Sequence, residues 1–140
     1  MYDVIIVPVD GSKAAGDAAD HGMCQAAAHD ARLVFLAVVE MSGTAVPEAR
    51  EGEALEDRRA TRRNEVESRV AEAESADVDA AGVVETGVPS RVILEQSSTR
   101  DGDLIIMATS ARSGVGRFLY GSITEQVIRD GDTPVLAIQR

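Results

Sequence analysis

The chain has 140 residues, 44% of them apolar and only 3% aromatic, so one domain of ordinary size with an aliphatic core is expected. Fourteen basic residues against 24 acidic ones give a net charge of −10, which repels nucleic-acid backbones and anionic membranes alike. The longest apolar run, Leu33 to Val39, is far short of the roughly 18 residues of a membrane span, and Asp3 stands where a secretory signal carries positive charge, so a cytoplasmic protein is expected.

Val4 to Val9 is a short, β-branched run closed by Asp10 and Gly11, the pattern of a buried strand ending in a turn. The period then changes: Ala15, Ala18, Ala19, Gly22, Met23, Ala26 and Ala27 fall on one helical stripe, with Lys13, Asp17, Asp20 and Gln25 opposite. Side chains this small let a helix lie close against a sheet. Cys24 has no second cysteine to pair with and reads as a small buried helix residue. Leu33 to Val39, inside ARLVFLAVVE, is a second strand, and Met41 to Pro47 a loop. Glu48 to Ala76 reads as a solvated helix with a thin stripe of Leu55, Val66 and Val70 and a Glu65–Arg69 pair at i, i+4. No cap precedes Leu55, so disorder is the alternative at its start.

AAGVVETG, residues 80–87, is a third strand, and Pro89 suits the first turn of a short helix through about Ser98. A fourth strand runs from about Leu104 to Ala108, a helix from Ser122 to about Arg129, and TPVLAI supplies a fifth strand. Strands that are continuous aliphatic runs, alternating with helices, predict a single doubly wound α/β domain over 1–140. Its parallel sheet is covered on both faces. The single lysine against 13 arginines, with acids spread along the chain, has the look of a salt-adapted surface.

Ligands of such sheets sit beyond the carboxyl ends of the strands, which draws attention to Pro8–Ser12, Val38–Glu40 and the residues from Ala108 onward. Gly121 and Ser122 open the predicted last helix, whose first amide hydrogens would be free for an anion. The same Ser122-Ile123-Thr124-Glu125 also matches a capping box, in which serine and glutamate satisfy the helix's own donors. Asp10, before a glycine in a turn, has an equivalent internal use in bonding its own backbone. His21 and His29 are i, i+8 apart on the first helix, the wrong spacing for a shared metal, so no metal site is expected. The chain contains no cysteine cluster, P-loop or G-x-S-x-G elbow, and VVETG lacks the aspartate of a phosphoacceptor domain. An enzyme is therefore not expected, slow ATP hydrolysis being the weakest of the functional readings.

Along its full length the chain resembles the universal stress protein family: VPVDGS at the end of the first strand, LAVV in the second, then ETGVPSRVILEQ, DLIIMATS, RSGVGRFLYGSITEQVIRD and TPVLAI. The resemblance implies a five-stranded parallel sheet in the order 3-2-1-4-5, with Asp10 opposite Ala108, and a role in stress response. Members of the family that bind ATP carry Gly-x2-Gly-x9-Gly-Ser/Thr after strand four. Here the frame reads Ala108, Ala111, Gly121 and Ser122, so the spacing is kept and the first two glycines are replaced. Carried over residue by residue, the family's site implies Pro8, Val9 and Asp10 for the ribose and adenine side and Val38 for the adenine pocket, with Met107 beside it. Ile123 follows the last phosphate contact, and Arg112 offers charge to phosphates.

A left-handed backbone at Ala111 would cost about 1–2 kcal/mol relative to glycine. With a methyl at Ala108 as well, affinity would fall by about one to three orders of magnitude. The expected cofactor is thus ATP or another adenine nucleotide, with Mg, bound through a weakened loop; an empty cleft in a dimeric interaction protein is the alternative. The resemblance also implies a homodimer that pairs the C-terminal strand, 134–139, across a two-fold axis.

Overall fold

Five strands form one parallel sheet in the order β3-β2-β1-β4-β5. They are β1 (Val4–Pro8), β2 (Arg32–Glu40), β3 (Ala80–Gly87), β4 (Leu104–Thr109) and β5 (Val135–Gln139), and the helices between them are α1 (Lys13–His29), α2 (Glu48–Ser75), α3 (Pro89–Thr99) and α4 (Gly116–Asp130). The computed structural model describes residues 1–40, 48–109 and 116–139, and for 48–54 and 116–121 the backbone alone. The predicted doubly wound architecture and strand order are both found. Among the described residues no helix is long and apolar enough to cross a membrane.

Why the sheet is covered on both sides can be read from β1. Successive strand residues point to opposite faces, yet Ile5, Ile6 and Val7 are all 0% exposed, so neither face reaches water. On one face Ile5 and Val7 pack with Phe35, with the small residues of α1 and with Val66 and Ala73 of α2. On the other, Ile6 packs with Leu36, Ile105 and Met107 and with Ile93 of α3 and Val127 of α4. Each large aliphatic so buried contributes about 1.5–3 kcal/mol.

The α1 stripe is narrower than the sequence suggests. Ala15, Ala18, Ala19, Gly22 and Ala26 are buried, and a Cβ at Gly22 would stand 2.7 Å from Val7 Cγ2, so this crossing requires glycine. Ala27 is exposed and Met23 only half-buried. Cys24 is exposed too, correcting its reading as a buried residue. At about 100° per residue, Ala27 lies past the edge of the contact and Cys24 well round from Gly22. Ser12 caps α1, its side-chain oxygen accepting from the Ala15 amide at 3.1 Å. His29 has a structural neighbour, its ring meeting Tyr2 edge-on at 4.8 Å between centroids.

On α2, Val66 is buried while Leu55 and Val70 are half-buried, as the thin stripe predicts. The pairing differs. Glu65 takes Arg62 at 2.9 Å and Arg69 takes Glu72 at 3.3 Å, both at i, i+3, instead of the expected Glu65–Arg69. The last helix differs most: α4 starts at Gly116, so Ser122 stands six residues inside it. Neither the capping box nor the free terminal amides fits that position, because an interior helical amide bonds the carbonyl four residues back. Glu125 instead pairs with Arg129 at 3.2 Å.

A carboxylate ties the first and fourth strands together. Asp103 Oδ2 accepts the backbone N–H groups of Asp3 at 2.8 Å and Val4 at 2.9 Å, and the Asp103 amide donates to the Val4 carbonyl. The amide hydrogen bonds from Asp3 and Val4 hold its carboxyl below the ordinary 3.8. A lowered folded-state value stabilises the fold above the unfolded value and is lost as pH falls through the folded one. Asp103→Ala is therefore expected to lower the urea midpoint at neutral pH, and the gap from the parent chain should narrow as the pH drops below 3.8. A gap that stays constant on acidification would show that the carboxylate's charge is not what matters.

Candidate functional site

Strand order reverses at β1, which has β2 on one side and β4 on the other. A cavity of about 230 Å³ opens at the carboxyl ends of these strands, just under the roughly 300–1,000 Å³ of small-molecule sites. Its walls differ in character. Pro8, Val38, Met107, Pro89, Ile93 and Ile123 form an apolar floor on the α3–α4 side, while Arg58 and Arg62 come from α2 and Asp10 and Glu40 add acidic residues at the ends of β1 and β2.

The turn after β1 is tightly built. Asp10 Oδ1 accepts the Ser12 amide at 3.0 Å, which is the internal use expected of an aspartate before glycine. Gly11 has φ +82°, and a Cβ there would be 2.6 Å from Glu65 Oε1. Over it, Arg62 Nη1 donates to the Asp10 carbonyl at 2.6 Å and to Glu65 at 2.9 Å. One turn of α2 further back, Arg58 Nη2 donates to the Glu40 carbonyl at 3.0 Å, and Arg59 Nη1 donates to Thr86 Oγ1. Thus α2 lays guanidinium groups across the carboxyl ends of β1, β2 and β3.

Of the residues singled out in the sequence, Pro8, Val9, Asp10, Val38, Met107 and Ile123 line this one cavity. Ala108 does not: it is 5% exposed, and its methyl packs in the α1-side core with Ile5, Val7 and Ile106, so it lies beneath the cleft instead of intruding on it. The Ala108 carbonyl accepts Thr124 Oγ1 at 3.4 Å, fastening α4 to β4. Ser122 is exposed and does not line the cavity, and the backbone of Gly121 lies within α4. Ala111 and Arg112 lie outside the described residues.

Sequence reading missed Arg58, Arg62, Pro89 and Ile93. A usable signal existed for the arginines: Arg58, Arg59, Arg62 and Arg63 repeat at i, i+1, i+4, i+5, one face of a helix, in a chain whose net charge is −10. Pro89 and Ile93 read only as the start and core face of α3.

The model of the "Universal stress protein family" matches residues 1–139. The chain is similar to universal stress protein MJ0531 of Methanocaldococcus jannaschii, at 30% identity over 142 residues, covering 100% of this chain and 84% of that protein. Among solved structures it is similar to the hypothetical protein MJ0577, with TM-score 0.86 and 26% identity, covering 100% of this chain and 97% of that one. It also shares its fold with an Arabidopsis thaliana protein of the universal stress protein family solved with AMP bound, at TM-score 0.72 and 18% identity over 99% of this chain and 92% of that one.

The Gly11 geometry carries a stability prediction. Gly11→Ala should cost about 1–2 kcal/mol from the left-handed backbone, and more if Glu65 cannot move aside. Urea unfolding at neutral pH measures it. A variant as stable as the parent would mean that the turn relaxes freely.

Proposed function

The chain belongs to the universal stress protein family, and we propose that it binds an adenine nucleotide in the cleft at the carboxyl ends of β1, β2 and β4, as a regulatory module of the stress response that acts by binding and not by turnover. The observation that carries this reading is the convergence of Asp10, Val38, Met107 and Ile123, from four separate segments of the chain, on one cavity. The apolar floor suits a purine face. Asp10 offers a carboxylate oxygen to ribose hydroxyls, since its Oδ1 alone is engaged in the turn. The AMP-bound protein of the same fold supports an adenine ligand. Members that bind ATP carry the complete glycine pattern, and the replacement at Ala111 favours weaker binding or a ligand with fewer phosphates.

Equilibrium dialysis of the purified chain against AMP and against Mg-ATP tests the proposal. Saturable uptake is expected, and Asp10→Ala should weaken it about tenfold, the worth of one hydrogen bond to a charged acceptor. With no tryptophan and two tyrosines, the protein's own absorbance is low enough for a copurified adenine to dominate near 260 nm. No uptake of either nucleotide would favour the interaction protein with an empty cleft.

We also propose a homodimer through the C-terminal strand. Its support is that, among the described residues, β5 is an edge strand paired with β4 alone, while Leu136 is 37% exposed and Ile128 of α4 54% exposed; an unpaired strand edge is a template for another chain. Light scattering should give twice the 14.8 kDa of one chain, whereas a mass of 14.8 kDa at working concentration would refute the pairing.

A further inference from the structure

Resting on the nucleotide reading above, we infer that Arg62 of α2 is a positioning residue for ribose recognition: its bond to the Asp10 carbonyl holds the turn after β1 in the shape that leaves the second carboxylate oxygen of Asp10 for the ribose hydroxyls. Arg62 acts here through Asp10 and touches no part of the ribose itself.

The turn needs a hold from outside itself. Val9 is tied to the sheet, its amide donating to the Leu36 carbonyl at 2.8 Å, and Ser12 is already the cap of α1, so Asp10 and Gly11 alone bridge strand and helix. Gly11, at φ +82°, is the residue type that loses most freedom when fixed. From within, Asp10 Oδ1 accepts the Ser12 amide at 3.0 Å. Among the described residues the Asp10 carbonyl accepts no backbone amide; Arg62 Nη1 reaches it instead, at 2.6 Å. The same Nη1 donates to both oxygens of Glu65, at 3.1 and 2.9 Å, and Glu65 lies directly over Gly11. Asp10 is thus held at its side chain by Ser12 and at its backbone by α2. A carboxylate fixed in this way loses less entropy when a ligand's hydroxyls bind it.

Arg62 can serve as a fixed post because α2 is anchored on either side of it. One turn ahead and on the same helix face, Val66 is fully buried and seated so close on β3 that a Cβ at Gly82 would stand 3.0 Å from it. One turn back, Arg58 donates to the Glu40 carbonyl at 3.0 Å and Arg59 to Thr86 Oγ1. Arg62 also borders the cavity, so direct contact with the ligand is the competing role. The two roles make opposite demands on Asp10: positioning works only while the Asp10 carboxylate is present, whereas a direct contact keeps its worth without it. Positioning also acts on the ribose hydroxyls alone, so it changes selectivity for the sugar and not affinity for nucleotides in general.

Titration calorimetry of the full chain with AMP and with 2′,3′-dideoxyadenosine monophosphate tests the inference. The parent chain should prefer AMP about tenfold, the worth of one hydrogen bond to a charged acceptor, and Asp10→Ala should abolish the preference. Arg62→Gln should cut it to about threefold or less while leaving the dideoxynucleotide affinity unchanged, and Arg62→Lys, which keeps a donor for the carbonyl, should recover most of it. Added to Asp10→Ala, Arg62→Gln should change AMP affinity by less than about twofold, since the two residues act as one unit. Without nucleotide, amide hydrogen exchange at Ser12 should quicken in Arg62→Gln, while exchange at Ile6 in the buried middle of β1 stays as in the parent. Equal losses for both nucleotides, a further loss on top of Asp10→Ala, or unchanged exchange at Ser12 would each overturn the inference while nucleotide binding stands. If the parent chain binds neither nucleotide, this inference and the proposed function fail together.

Discussion

Burial of the central strand on both faces is the constraint from which the other features follow. With Ile5, Ile6 and Val7 sealed, no polar group can be placed along the middle of the sheet without an unmet desolvation cost of several kcal/mol. Chemistry is confined to the strand ends. At the carboxyl ends the chain leaves β1 toward the α1–α2 face and leaves β4 toward the α3–α4 face, since α1 packs with one core cluster and α4 with the other. Two connections departing in opposite directions from neighbouring strands leave a crevice between them.

What lines that crevice follows from which helix crosses it. α2 is long enough to reach over the ends of β1, β2 and β3, and its arginines are bonded to backbone or side-chain acceptors there. Half-buried and still reached by solvent, the Arg62–Glu65 pair contributes on the order of 1 kcal/mol, so its main effect is positional. It keeps a cation fixed above the Asp10 carbonyl and leaves Gly11 as the residue small enough to pass beneath Glu65. The acidity of the whole chain and the cationic wall of the cleft are compatible because the arginines act at contact distance, where the pairing is local, and not through the long-range field.

Legibility varied with the range of the interaction that produced each feature. The α1 stripe was visible because a helix of alanines and one glycine repeats at its own period, and its error, the inclusion of Ala27, amounts to one step round the helix. The start of α4 was not visible. Ser122, Ile123, Thr124 and Glu125 form a valid local cap signal, but Arg117 to Tyr120 contain no proline or glycine to stop a helix, and the helix runs through them from Gly116. A capping pattern states only that a helix can begin there. Ala108 was misread for a different reason. Alternation along β4 decides whether a methyl faces ligand or core, and residue identity alone does not; here it faces the core.

The sequence by itself determined the class of fold, the extents of the β-strands to within a residue or two, the small-residue crossing of α1, and the candidate residues at the carboxyl ends, because each is a property of local period or of a contiguous motif. Only the tertiary structure decided that Arg58 and Arg62 share a wall with Asp10, residues separated along the chain by the whole of β2. It likewise decided that Glu65 pairs backward and that Ala108 lies beneath the cleft. These are outcomes of how helices seat on a twisted sheet, and side chains distant in sequence meet only once that seating is complete.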